Sequence, residues 1–406
     1  MRETRTVTKG VAALSTLLIA VLMACSQDST AQLPTPNAAL PLPLITDEVR
    51  EQRGSIASVE RVLGQSAPLA EAQATQYRVV YRSTSGINGS KRDVSGAVFV
   101  PPGAPPGGGW PVIAYGHGTT GIGNECGPSQ YPNLLGYDLV VASLLELGFV
   151  VSLPDYEGLG QPGTHPYLEP RTAAFNMIDS VRAARQVVPE TSSRWLAVGI
   201  EQGGQASWAA NELAEEYGDG LDFLGSASLR PTADLVNLPV LAESKWLTKA
   251  QQGLLPTFVY GLRATNPDLN PSDYLHGNLA SNEERWLACS GPLVAELPKA
   301  IGELAIDDSE PVSSEATEAL RQALTQYALP QRPATGPMLV ITGGDDEIVR
   351  SQWVASAVEK ACALGDVVEF IVRPGEKQNN LDGGPRIAQW VSERLAGAPP
   401  ANTCRT

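Results

Sequence analysis

The sequence predicts an α/β fold, a doubly wound and mostly parallel sheet with a helical cap inserted between two of its strands. Three observations predict it. Short apolar runs alternate with longer stretches of helical spacing, the pattern of buried parallel strands separated by helices. One strand-to-helix junction, Gly199-Ile200-Glu201-Gln202-Gly203-Gly204, places glycines two positions either side of a central residue, as a very tight turn requires. A stretch rich in Leu, Ala and Glu, residues 235–335, has a helical pattern and separates the strand ending at Leu229 from the next one at Met338.

At the amino end, Arg2, Arg5 and Lys9 precede an apolar run from Val11 to Ala24, too short to span a bilayer comfortably and shaped like an export signal. Leu22-Met23-Ala24-Cys25 closes it in the pattern at which bacterial lipoproteins are cleaved, which predicts removal of residues 1–24 and lipidation of Cys25. Ser26, rather than aspartate, after the lipidated position directs such a protein to the outer membrane of a two-membrane bacterium. In a Gram-positive cell it would stay on the outer leaflet. Residues 25–45 then read as the lipidated cysteine and a flexible, structureless tether. The domain follows as residues 46–234 (first part of the α/β core), 235–335 (cap) and 336–406 (last part of the core).

Within the core, Tyr77–Arg82 and Val94–Val100 read as strands, followed by a Pro/Gly loop over Pro101–Gly109. Pro111–Tyr115 and Phe149–Pro154 are further strands, and Thr172–Val188 has the apolar spacing of a helix. Trp195–Val198 is the strand that enters the tight turn and Gln205–Tyr217 the helix that leaves it. Phe223–Leu229, Met338–Thr342 and Val367–Val372 complete the strands.

A formal net charge of −15 argues against nucleic acid as a partner, because phosphates would be repelled over most of the surface. Beyond Cys25 the cysteines are Cys126, Cys289, Cys362 and Cys404, an even set in an exported chain, which predicts two disulfides with three possible pairings. No CxxC or close Cys/His grouping occurs, so neither a metal nor another cofactor is expected.

The tight turn has the build of a nucleophile elbow, G-x-S-x-G, with Glu201 where the serine belongs. Around it, Tyr115-Gly116-His117-Gly118-Thr119-Thr120-Gly121 and Cys126-Gly127-Pro128-Ser129 resemble the oxyanion-side loop of the secretory lipases, the lipase-A type of α/β-hydrolase. Leu153-Pro154-Asp155-Tyr156-Glu157-Gly158-Leu159-Gly160, His165-Pro166-Tyr167-Leu168 and Asp179 to Arg185 are similar to that family as well, over roughly residues 60–404. The resemblance implies an α/β-hydrolase fold and a Ser-Asp-His triad in that chain order. It places the acid on Asp346 and the oxyanion hole on the backbone amides of Gln202 and of Thr119 or Thr120. It also implies Cys126–Cys289 and Cys362–Cys404 as the disulfides. His117, Asp155 and Tyr156 are candidates to line the pocket, the last two because they follow a core strand at its carboxyl end; the alternatives are a structural role for His117 in its loop and turn chemistry for Asp155 and Tyr156.

Two triad positions depart from the family. Glu201 replaces the nucleophile, and Gln378, in Arg373-Pro374-Gly375-Glu376-Lys377-Gln378, stands where the histidine should be. The only histidines, His117, His165 and His276, all precede Asp346. Glutamine can neither take nor return a proton near neutrality, and losing serine or histidine from a working triad costs about six orders of magnitude in turnover. The expectation is therefore a surface lipoprotein that holds a small hydrophobic or ester ligand without efficient hydrolysis, anchored to the membrane through Cys25. Its site would be plugged by the Glu201 carboxylate folded onto the oxyanion amides. The alternative is an active ester hydrolase that uses Glu201 as nucleophile, or Glu201 and Asp346 as acid and base.

Overall fold

The computed structural model describes residues 37–404, so the expected export signal, Cys25 and most of the expected tether lie outside the described residues. Nine strands form one sheet: β1 (Ile56–Val62), β2 (Thr75–Thr84), β3 (Lys91–Val100), β4 (Trp110–Gly116), β5 (Val150–Pro154), β6 (Thr191–Ile200), β7 (Asp222–Leu229), β8 (Met338–Gly343) and β9 (Val368–Arg373). Their order is β1-β2-β3-β5-β4-β6-β7-β8-β9. The β1-β2-β3-β5 pairings are antiparallel, and every pairing from β5 through β9 is parallel. β4, β5 and β8 are buried along their whole length. Covered on both faces, they read in sequence as continuous apolar runs rather than alternating ones.

β1 has no counterpart in the sequence reading. Its five central residues are exposed, and it is an edge strand held only through β2. Burial imposes no apolar pattern on such a strand, so there is none to read.

The helices that position the site pack on the parallel half. Pro170–Val187 is capped by the Glu169 carboxylate, which accepts from the amide of Thr172 at 2.8 Å. Its buried Asp179 accepts from Ser83 and Tyr217 and pairs with Arg182. Helix Gln202–Tyr217 follows β6 directly. Between β7 and β8 the predicted cap is present as a run of helices that includes Lys249–Leu262, Pro292–Glu303 and Ser314–Tyr327. Leu255, Phe258, Trp286 and Leu320 belong to its own apolar cluster, separate from the clusters flanking the sheet. Both implied disulfides are formed: Cys126–Cys289 fastens the loop after β4 to the cap, and Cys362–Cys404 fastens the carboxyl tail. None of the described helices is long and apolar enough to cross a membrane.

One boundary differs from expectation. The tether, read as structureless to residue 45, is laid on the domain by Asn37, whose side chain accepts from Lys360. Leu40 donates its amide to Gln331 at 3.2 Å, and Arg171 reaches the Pro41 carbonyl at 2.6 Å. A Pro-rich stretch lacks helical or strand periodicity even when its carbonyls are held by distant arginines, so this docking is invisible in composition.

Glu212, buried in helix Gln202–Tyr217, accepts from the amides of Gln331 and Arg332. Burial pushes its carboxyl up to about 8, against the pull of those amides. A carboxyl whose folded-state value is raised binds protons more tightly folded than unfolded, so its contribution to stability is present at low pH and lost as pH rises from about 4.5 through 8. Glu212→Gln is expected to be more stable than the parent at pH 8, by on the order of 2 kcal/mol, with the gap closing near pH 4. Urea unfolding at the two pH values measures it; a gap that widens towards low pH would refute the assignment.

Candidate active site

The carboxyl ends of β4 and β6 lie side by side, with Gly116 paired to Gly199. There β6 turns into its helix through Glu201, held at φ 54° and ψ −115°, a left-handed conformation that costs a non-glycine residue about 1–3 kcal/mol. The surroundings enforce it. The Glu201 amide donates to the Leu229 carbonyl at 3.0 Å, and its carbonyl accepts from Gln205 at 2.9 Å and Thr232 at 3.2 Å. A side chain at Gly203 would begin 1.9 Å from the Gly116 carbonyl oxygen, and one at Gly199 would begin 2.0 Å from the Gly203 carbonyl. Only glycine fits at both.

The Glu201 carboxylate does not cap its helix. Oε1 pairs with Arg230 Nη2 at 2.7 Å and accepts from Gln378 Nε2 at 3.1 Å, while Oε2 lies beside Gly118, where it would crowd any side chain. The expected plug on the oxyanion amides is therefore corrected. A mostly buried guanidinium offers a full charge and a directed N–H, and outcompetes neutral amides for the carboxylate. Arg230 also donates from Nη1 to the Gln378 carbonyl, so one side chain grips both replaced triad positions.

Sequence reasoning missed Arg230. It directly follows β7, at the same sheet edge as the elbow, and that placement was the signal available.

Asp346 lies beside this network and is buried. Its Oδ1 accepts from the amides of Ile348 at 2.8 Å and Val349 at 2.9 Å, an Asx turn, whereas Oδ2 is buried without a partner. Burial raises its carboxyl above the ordinary range, the two amides and Arg230 oppose that rise, and Glu201 adds to it. The free oxygen is the one to which a triad histidine would donate. No imidazole approaches it.

His117 is buried between the carbonyls of Gly118 and Asp155, and His165 bonds the Glu157 carbonyl at 2.7 Å and the Gln202 side chain at 2.8 Å. Burial lowers both rings to about 4. His276 bonds the Glu310 carbonyl inside the cap.

His117, Asp155 and Tyr156, candidates to line the pocket, are buried and line neither of the two cavities at the site. Asp155 is fully buried, accepts from the Ser129 amide at 2.8 Å, the Ser129 hydroxyl and Ser95, and is pushed up by burial to about 6. Tyr156 donates to the His117 carbonyl at 3.2 Å. These residues brace the loop after β4, and their polar atoms are consumed in doing so.

Of the oxyanion candidates, Thr119 faces Glu201 across a cavity of only about 10 Å³ that Asp346, Arg230 and Gln378 also line. Gln202 is buried at the helix start, and Thr120 lines a second, apolar pocket of about 280 Å³ under the cap. Tyr137, Leu254, Trp286, Leu297 and Ile301 supply large apolar side chains to that pocket's wall, and Thr119 and Leu254 line both spaces.

A parallel sheet of this order, an elbow at the end of β6, an acid after β8 and a cap between β7 and β8 define an α/β-hydrolase. The model of the secretory lipase family matches residues 134–403, well over half of the chain, and the protein belongs to that family. It is 24% identical over 289 residues to Lipase A of Arthroderma benhamiae, covering 66% of this chain and 57% of that protein's length. It is 29% identical over 346 residues to the probable inactive lipase MT1628 of Mycobacterium tuberculosis, covering 80% and 74%. Among solved structures, Candida antarctica lipase A in its closed state superposes with a TM-score of 0.69 at 17% identity, over 90% of this chain and 89% of that one. The rice cell wall degrading esterase LipA of Xanthomonas oryzae superposes with a TM-score of 0.69 at 20% identity, over 86% and 100%. These two likenesses speak for the fold.

Proposed function

We propose that this protein is a lipase-fold binding protein that has lost ester hydrolysis, holding a lipid, acyl or ester ligand in the apolar pocket under its cap. We further propose that it is an exported lipoprotein kept at the cell envelope by Cys25. The observation that carries the first reading is the Glu201–Arg230 ion pair at the elbow, in a chain whose three histidines are all committed to carbonyls elsewhere.

A nucleophile must be free to attack and a base free to take a proton. Here the elbow carboxylate is bound to a guanidinium, and the residue opposite it is an amide. Glu201 as nucleophile would leave an ester that no imidazole is placed to hydrolyse, and its Oε1 is already taken up by Arg230 and Gln378 rather than free for a substrate. The similarity to a probable inactive lipase points the same way.

The mature protein is expected to hydrolyse p-nitrophenyl esters, from acetate to palmitate, no faster than Glu201→Ala does. Turnover that Glu201→Ala abolishes would overturn this reading in favour of carboxylate chemistry.

A further inference from the structure

The polar end of the apolar pocket has a composition that selects among ligands, an inference that rests on the pocket-binding reading above. Most hydrogen-bonding capacity there is already used. Glu201 Oε1 holds Arg230 and Gln378, and Arg230 Nη1 holds the Gln378 carbonyl. Two buried atoms are left over: Asp346 Oδ2, an acceptor on a residue only 6% exposed, and Arg230 Nε, a donor; Glu201, whose bonds all run through Oε1, leaves Oε2 as a further acceptor. Asp346 Oδ2 and Arg230 Nε are buried without a partner, and both residues line the same small cavity. At about 10 Å³ it has room for roughly one oxygen atom with its hydrogen. Through Thr119 and Leu254 it borders the apolar pocket.

We propose that the site selects ligands with an alkyl chain ending in an uncharged hydroxyl, and discriminates against fatty acids. A hydroxyl donates one hydrogen bond and accepts another, satisfying Asp346 Oδ2 and Arg230 Nε together. A carboxylate has no hydrogen to give Asp346, and places a third anion beside Glu201 and Asp346 with a single arginine to offset them. Ligands of lipase chemistry thus divide by their end group: the alcohol fits and the acid does not.

The test is displacement of Nile red from the mature protein at pH 8 by decanol and decanoate. Decanol is expected to bind at least about tenfold more tightly than decanoate, the difference one satisfied buried polar group commonly makes. Decanoate binding as tightly as decanol, while both displace the dye, would overturn the inference and leave the pocket reading standing. If neither displaces the dye, the pocket reading fails and this one with it. Asp346→Asn keeps the oxygen that serves the Ile348 and Val349 amides and turns the free acceptor into a donor. In that variant the gap between decanol and decanoate should shrink to about threefold or less; an unchanged gap would remove Asp346 from the selection. The native alcohol-to-acid ratio tests the proposal even if the variant folds poorly.

Discussion

Replacing Glu201 with serine, Gln378 with histidine and Arg230 with alanine in one chain is expected to raise p-nitrophenyl ester turnover by at least about a thousandfold over the parent. The scaffold for this is present. The turn at residue 201 is fixed by backbone contacts that do not involve its side chain, namely the Leu229 carbonyl and the Gly116–Gly203 approach. Asp346 already points an unpartnered oxygen into the site, so a histidine at position 378 would find the acceptor that sets its tautomer. Serine and histidine without the change at Arg230 should lag well behind. The guanidinium that sits 2.7 Å from the Glu201 carboxylate would lose its partner and remain where the hydroxyl and imidazole must meet. It would also oppose the imidazolium that forms as the serine attacks. Steady-state kinetics on the double and triple variants decide this. A triple variant as silent as the parent would mean that the oxyanion amides or the pocket have been lost as well as the triad.

Gly203→Ala is expected to destabilise the fold by at least about 4 kcal/mol, enough to prevent recovery of folded protein from a marginally stable domain. Its methyl carbon would lie 1.9 Å from the Gly116 carbonyl oxygen and 2.6 Å from that of His117. Both are backbone atoms at the junction of the two central strands, so no side chain can swing aside, and relief requires moving β4 against β6. Gly302→Ala is the internal control. That helical glycine has no neighbour in the way, and alanine there should be neutral or stabilising by up to about 1 kcal/mol. Urea midpoints for both variants settle it, and a Gly203→Ala midpoint near the parent's would show that the elbow is far more plastic than its geometry indicates.

Much of this molecule is legible in its sequence, for reasons of local sterics and burial. β4, β5 and β8 read correctly because strands covered on both faces must be apolar throughout. The elbow read correctly because a turn of its tightness admits nothing but glycine at positions 199 and 203. The glutamate and glutamine at the two positions where the family resemblance expects serine and histidine were legible as residue identities at 201 and 378, and the cap as the length of helical pattern between β7 and β8.

What the sequence determined by itself was therefore the scaffold and the residue types that stand at the elbow and in the loop after β9. Only the tertiary structure decided which partners those residues take. Glu201 and Arg230 are remote in sequence, and nothing in either residue's neighbourhood announces the other; they meet because β6 and β7 are adjacent parallel strands that end at the same edge. The direction of the Glu201 carboxylate, away from its helix and onto a guanidinium, is a competition between a charged partner and neutral amides that can be judged only when both are in place. The same holds for His117 and Asp155, whose residue types suggest chemistry and whose surroundings, carbonyls for one and hydroxyls for the other, commit them to holding a loop. Local pattern fixes where the chain turns and what it buries. Which polar groups satisfy one another is a long-range question, and it is answered by the fold.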